Sequence, residues 1–134
     1  MKSAMLIATL GAEPQVVTLT LDSLLARGER ITSVIVVHTT PDREPVRSSV
    51  RSLYREFMVV RPYGNEILFV PHLLAGTSGP LVDVVTPSDI DDAFRSLYIL
   101  LRQHKQAGRS IHLSVAGGRK TMALFAMAAA QILF

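Results

Sequence analysis

The chain passes from an apolar, strand-like run to an apolar, helix-like run at Ser114-Val115-Ala116-Gly117-Gly118-Arg119-Lys120-Thr121-Met122. Two glycines allow a tight turn and a close approach of the backbone to a ligand. The amides that follow open a helix, where free N–H groups and the helix dipole attract an anion. Arg119 and Lys120 add two positive charges at the same place. The corner is therefore predicted to bind phosphate, and the alternative is a structural turn with two solvated cations.

Outward from this corner, strand-like and helix-like segments alternate along the chain. The predicted strands are Ala4–Thr9, Ile31–His38, Ile67–Val70 and Ile111–Val115. The predicted helices begin near Pro14, Asp42, Ser88 and Arg119 or Lys120. Strands that alternate with helices through short connections predict an α/β fold, a Rossmann-like open parallel sheet with helices on both faces. A length of 134 residues predicts a single domain over 1–134.

Three connecting or surface segments carry further predictions. Ser88 and Asp91 form a capping-box pattern at the start of the third helix. Gly76-Thr77-Ser78-Gly79 is predicted to be either a mobile lid or a linker. A row of four arginines indicates a solvated helix face, with nucleic-acid binding as the alternative. The row is Arg43, Arg47, Arg51 and Arg55.

The strand ends predict where a ligand binds. In a doubly wound sheet, ligands bind beyond the carboxyl ends of the strands, where strand order reverses. We expect that reversal between the first and fourth strands, which places the loop Leu10–Gln15 beside the loop Ala116–Lys120. His38, at the same edge, is either a ligand contact or a hydrogen-bonded residue at the core margin. The candidate ligand-binding residues are Leu10, Gly11, Gln15, Thr39, Ala116, Gly117, Gly118, Arg119, Lys120 and Thr121.

Several common sites are excluded. The P-loop needs a glycine directly before its lysine, where this chain has Arg119. The dinucleotide fingerprint needs two further glycines after Gly11, and neither is present. The chain has no cysteine, and its four histidines are scattered, so no metal site and no cofactor are predicted.

The final segment, from Met122 to Phe134, is apolar nearly all round. A helix of this kind must be covered on more than one side, by a dimer partner or by further parts of a longer protein. It is shorter than the roughly 20 residues that span a bilayer, so no membrane contact and a cytoplasmic location are expected. The formal net charge of +3 is too small to predict binding of duplex DNA.

Two segments together resemble the CRISPR-associated Rossmann-fold (CARF) domains. They are Ile7-Ala8-Thr9-Leu10-Gly11 with Pro14-Gln15-Val16-Val17-Thr18, and Ser114 to Met122. The alternating β/α pattern extends the resemblance over nearly the whole chain. The sheet of that family normally continues with further strands, so the chain is interpreted as a truncated or minimal CARF domain.

The resemblance implies a homodimer that binds a cyclic oligoadenylate second messenger, foremost cyclic tetra-adenylate, across its two-fold axis in CRISPR type III antiviral signalling. Members called ring nucleases also cleave the messenger without a metal. The chain is either such an enzyme, which is the interpretation that we favour, or a sensor that only binds the messenger. In the cleavage, a ribose 2′-hydroxyl attacks the neighbouring phosphate and leaves a 2′,3′-cyclic phosphate. Lys120, Arg119 and Thr9 are then the candidate catalytic residues, and Thr9 and Gln15 orient the ring. No general base is obvious.

Two other function classes stay open. One is a nucleotide- or phosphate-metabolite-binding Rossmann-like enzyme unrelated to CRISPR. The other is a protein-interaction module, in which the apolar last helix docks a partner and Gly117-Gly118 is only a structural turn.

Overall fold

The computed structural model describes residues 3–134, so the first two residues of the predicted domain lie outside the described part. The elements are β1 (Ser3–Thr9), α1 (Gln15–Ala26), β2 (Arg30–His38), α2 (Val46–Arg55), β3 (Leu68–Leu73), β4 (Ala75–Gly76), β5 (Gly79–Pro80), α3 (Pro87–Gln106), β6 (Ser110–Ser114) and α4 (Lys120–Leu133). A π-helical turn, Glu56–Val60, continues α2.

Over this range the principal sheet has four parallel strands in the order β3-β2-β1-β6. The strand order reverses between β1 and β6, which is the position predicted for the first and fourth strands. This arrangement confirms the α/β, Rossmann-like fold. It also brings the loops after β1 and β6 to the same edge of the sheet, because both strands run in the same direction.

Each face of the sheet is covered by two helices, and successive side chains of a strand alternate between the faces. From β1, Met5 and Ile7 enter the core formed with α3 and α4. Leu6 and Ala8 enter the core formed with α1 and α2. Leu6 is fully buried, and burial of a side chain of this size stabilises the fold by about 1.5–3 kcal/mol. The sheet therefore lies between two buried apolar clusters, one under each pair of helices.

Three local predictions are corrected. The third helix begins after Thr86 rather than Ser88, because Thr86 Oγ1 accepts the N–H of Asp89 at 3.1 Å and Pro87 occupies the first helical position. The segment 76–79, predicted to be a mobile lid or a linker, is not a linker but part of the hairpin β4–β5. The hairpin is fastened to α3, since the N–H of Thr77 donates to Asp92 Oδ2 at 3.3 Å. β3 extends to Leu73 and includes Pro71, which an edge strand tolerates.

The last helix packs on one side and leaves apolar side chains on the other. Met122, Ala126 and Ala129 are buried against the sheet and α3. The exposed apolar residues of this segment are Leu124, Met127, Ile132 and Phe134. Within residues 3–134, no helix is both long and apolar enough to cross a membrane.

Candidate functional site

The loops after β1 and β6 touch through their backbones. Thr9 Oγ1 donates a hydrogen bond to the carbonyl oxygen of Gly117 at 2.5 Å. A Cβ atom on Gly117 would lie 2.3 Å from the carbonyl oxygen of Thr9, and a Cβ on Gly11 would lie 2.8 Å from the Cα of Gly118. Both loops therefore require glycine, because no side chain fits between them. The predicted juxtaposition of the two loops is confirmed.

Gly118 has a second requirement. Its φ of +79° lies in the left-handed region, which glycine adopts without the steric cost that a Cβ imposes. The chain then enters α4 after Arg119, whose backbone is extended. The first N–H groups of α4 thus start directly beyond the glycine turn, and such groups lack intrahelical partners.

A cleft of about 320 Å³ opens where these loops meet the start of α2 and the loop between β5 and α3. It lies at the carboxyl edge of the sheet. Its lining residues are Leu10, Gly11, Ala12, Thr39, Thr40, Arg43, Glu44, Pro45, Val46, Val82, Asp83, Gly118, Arg119 and Met122.

Arg119 is paired across this cleft with Asp83. Nε of Arg119 donates to Asp83 Oδ1 and Nη2 donates to Oδ2, each at 2.6 Å. The guanidinium hydrogen bonds hold the pKa of Asp83 below its usual range, so this carboxylate is ionised at neutral pH. The corner thus carries a paired arginine rather than two solvated cations.

The wall formed by α2 is also attached to the first glycine loop. Ser49, which is buried, donates through Oγ to the carbonyl oxygen of Gly11 at 2.5 Å. Near the start of this wall, the N–H of Ser48 donates to Glu44 Oε1 at 2.8 Å, and the hydroxyl of Ser48 donates to Oε2. These bonds lower the pKa of Glu44. Arg43 is exposed at the cleft and adds a positive charge.

His38 lies behind the cleft rather than in it. The side chain is buried, and its Nδ1 is 2.7 Å from the carbonyl oxygen of Thr39. Burial lowers the pKa of His38, although the hydrogen bond to Thr39 opposes this shift. The neutral ring therefore donates a hydrogen bond to Thr39 and holds the end of β2. This agrees with the prediction that His38 is a hydrogen-bonded residue at the margin of the core.

The predicted site residues fall into three groups. Leu10, Gly11, Thr39, Gly118 and Arg119 line the cleft. Thr9 and Gly117 form the contact between the two loops, where Thr9 is 2 % exposed and its hydroxyl is engaged. The predicted residues outside the cleft lining are Gln15, Ala116, Lys120 and Thr121.

The residues outside the lining differ in their surroundings. Gln15 is exposed at the start of α1, and its side-chain amide donates to Glu13 Oε2. Lys120 is exposed and is the first residue of α4; no hydrogen bond or ion pair to its side chain occurs within residues 3–134. Thr121 Oγ1 is buried without a hydrogen-bond partner in the described part of the chain.

Asp83 and Arg43 line the cleft and Ser49 fastens its wall, although the sequence pattern did not place these residues there. Asp83 is 36 positions from Arg119, and Ser49 is 38 positions from Gly11. No local motif encodes contacts at such separations. The one available signal was the position of Arg43, which follows the end of β2 at the predicted edge of the sheet.

A larger cavity of about 680 Å³ lies at the amino ends of the strands, under the last turns of α3. His72, His104 and Arg109 are at its margin. Volume alone does not make it the ligand site, because ligands of open parallel sheets bind at the carboxyl ends. Among residues 3–134 no group of three or more His, Asp or Glu side chains is arranged to hold a metal ion.

Comparison with known families now adds to this geometry. The family model described as CRISPR-associated protein NE0113 matches residues 13–134. The chain belongs to this family. The match covers α1 to α4 and thus both cleft walls and the glycine corner. No curated protein matches the chain. Membership in the NE0113 family supports a CRISPR-related role over the alternative of an enzyme unrelated to CRISPR.

Proposed function

We propose that the cleft binds a cyclic oligoadenylate, foremost cyclic tetra-adenylate, in CRISPR type III antiviral signalling. The observation that carries this proposal is the backbone contact of Gly11 with Gly118 and of Thr9 with Gly117, directly before the start of α4. It leaves an open, glycine-floored cleft beside unpaired helix N–H groups, an arrangement suited to a phosphate diester. The family match supports a CRISPR-related role, and the resemblance of the two loops to CARF domains supports the choice of ligand.

The size of the cleft supports binding across two subunits. Pockets for drug-sized molecules span roughly 300–1,000 Å³, so a cleft of about 320 Å³ suits one nucleotide rather than a ring of four. A two-fold assembly would present two such clefts to one ring, each taking one of its four nucleotides. The proposed homodimer would also cover the exposed apolar side of α4, which includes Leu124 and Ile132.

The proposed reaction is slow cleavage of the ring by its own ribose. The 2′-oxygen attacks the adjacent phosphorus, the bond from phosphorus to the 5′-oxygen breaks, and the proton of the 2′-hydroxyl ends on the leaving 5′-oxygen. Lys120 and the N–H groups at the start of α4 stabilise the developing negative charge, together with Arg119. Thr9 contributes indirectly, by holding the backbone of Gly117 in place, because its hydroxyl already donates to the carbonyl oxygen of Gly117. Gln15 orients the ring from the first loop.

Calorimetric titration with cyclic tetra-adenylate and cyclic hexa-adenylate tests the binding. Lys120→Gln is expected to weaken binding about tenfold, since a hydrogen bond to a charged group contributes about 1.5–3 kcal/mol. Arg102→Gln is the control for the loss of one positive charge, because Arg102 is exposed on α3, whereas Lys120 directly follows the cleft residues Gly118 and Arg119 at the first turn of α4. The proposal fails if neither ring binds, or if both variants weaken binding equally.

Chromatography of the products tests the cleavage separately. Incubation with cyclic tetra-adenylate is expected to give linear products that end in a 2′,3′-cyclic phosphate. Binding of the ring with no such product would leave a sensor without ring nuclease activity.

A further inference from the structure

The side chain of Arg119 is held in place by one carboxylate. Arg119 precedes α4 in an extended conformation, and its side chain is 61 % exposed. In residues 3–134, its side chain bonds to Asp83 and to no other group. A long exposed side chain without such a partner samples many rotamers, and fixing it costs conformational entropy.

Asp83, in contrast, is fixed independently of Arg119. The N–H of Val84 donates to Asp83 Oδ1 at 2.8 Å. Val84, the next residue, and Leu81, two residues earlier, are buried in the core. The N–H of Thr40 also donates to the carbonyl oxygen of Leu81 at 2.7 Å, which ties this loop to the end of β2. Asp83 is therefore held in place by its own loop, and it in turn fixes the position of the Arg119 side chain.

The geometry of the pair leaves part of the guanidinium available. A guanidinium has five N–H donors, and Asp83 uses the edge formed by Nε and Nη2. The edge that contains Nη1 remains for another acceptor. Both side chains line the cleft. An ion pair this exposed contributes little to folding, so its position at the cleft is of more consequence than its stabilisation of the fold.

We infer that Asp83 is a positioning residue, which orients the free edge of Arg119 toward a phosphate of the bound ligand. The inference rests on the proposed function, since the ligand is the oligoadenylate named there. The competing interpretation makes Asp83 a counter-ion that the phosphate must displace. The two interpretations predict opposite effects of removing the Asp83 carboxylate on ligand affinity. Removal of a positioning residue would weaken binding, whereas removal of a counter-ion would strengthen the binding of an anion.

Titration of the full chain with cyclic tetra-adenylate measures whether substitution of Asp83 weakens or strengthens binding. Asp83→Asn keeps the acceptor for the Val84 N–H but removes the charged fork, and it is expected to weaken binding about three- to tenfold. Asp83→Glu keeps the charge but displaces the carboxylate by one methylene, and it is expected to weaken binding less. Asp91→Asn is the control for net charge, since Asp91 is exposed on α3 outside the cleft, and it should change affinity less than twofold.

A double-mutant cycle shows whether Asp83 acts through Arg119. In an Arg119→Ala background, Asp83→Asn should cause no further loss of affinity. Equal or tighter binding by Asp83→Asn in the wild-type background, or an equal loss in both backgrounds, would overturn the inference alone. No binding by the wild-type protein would overturn the proposed function and this inference together.

The contact itself has a readout that needs no ligand. In the free protein, the Nε–H of Arg119 should exchange slowly with solvent by nitrogen-15 NMR, and in Asp83→Asn it should exchange rapidly. Fast exchange in the wild-type protein would overturn the inference whatever the titrations show.

Discussion

At the scale of single residues, the site depends on glycines whose missing side chains make room for a second loop. Gly117 illustrates this, because its φ lies outside the left-handed region and only the close approach of Thr9 demands glycine. Gly118 differs, since its backbone conformation also favours glycine. The two neighbours are therefore required for different physical reasons.

Gly117→Ala is expected to lower the free energy of unfolding by about 1–3 kcal/mol, because the added Cβ overlaps the carbonyl oxygen of Thr9 and the loops must separate. Urea denaturation measures the change. Ala116→Ser, at the exposed preceding position, serves as the control and should stay within about 0.5 kcal/mol of the wild-type protein. Equal effects of the two substitutions would contradict the steric explanation.

At the scale of elements, the start of α3 has the predicted capping box, but two residues earlier in the chain than predicted. Both Thr86 with Asp89 and Ser88 with Asp91 fit the spacing of a capping box. Pro87 decides between them, because its fixed φ and missing N–H suit the first helical position. The information was thus present in the sequence.

The corrected cap gives a direct stability test. Thr86→Ala is expected to reduce the free energy of unfolding by about 1 kcal/mol, since the N–H of Asp89 loses its acceptor. Ser88→Ala should have almost no effect, although Ser88 is equally exposed and only two residues away. Chemical denaturation of both variants provides the comparison, and a larger loss for Ser88→Ala would restore the original placement.

The sheet order and the meeting of the two glycine loops could be predicted, because alternating elements and right-handed crossovers leave few topologies. The residues that form the walls of the cleft could not be predicted from the sequence. The pairing of Asp83 with Arg119 depends on the path of the chain from β5 to α3, and the bond from Ser49 to Gly11 depends on the position of α2. Contacts of this kind follow from tertiary packing and leave no periodic signature in the sequence.

At the scale of the whole molecule, the exposed side of α4 is the surface that the proposed homodimer would bury. Leu124→Glu with Ile132→Glu is expected to raise the dimer dissociation constant by tenfold or more, since burial of each such side chain contributes about 1.5–3 kcal/mol. Leu19→Glu on α1 is the control, because Leu19, Leu124 and Ile132 are each 64 % exposed. Light scattering after size-exclusion chromatography reports the mass. A monomeric wild-type protein, or a dimer unaffected by the double substitution, would contradict the assignment.

Stability should also fall as the pH decreases from neutral. Burial lowers the pKa of His38, His72 and His104, so the unfolded chain binds protons more readily than the folded one. The neutral rings make their full contribution to the free energy of unfolding above the ordinary histidine pKa of about 6.5. It is lost as the pH falls through the lower folded values. Further loss follows below about pH 4, where Asp83 and Asp89, whose pKa values are lowered by hydrogen bonds, become protonated.

Urea denaturation between about pH 5.5 and 7.5 measures this slope. His38→Asn should flatten it, because asparagine can still donate to the carbonyl oxygen of Thr39 but does not titrate. A free energy of unfolding that is constant or higher at the acidic end would contradict the assignment of neutral, buried histidines.

The glycine contact beneath the cleft divides the site into two parts with different freedom to evolve. Gly11 and Gly117 touch the opposite backbone, so substitution there changes the fold itself. Ala12, Val82 and Arg43 stand on the walls, where a new side chain meets solvent or ligand. Substitutions in the walls would therefore change the preference for the proposed ligand, whereas substitutions in the floor would change the backbone that supports the cleft.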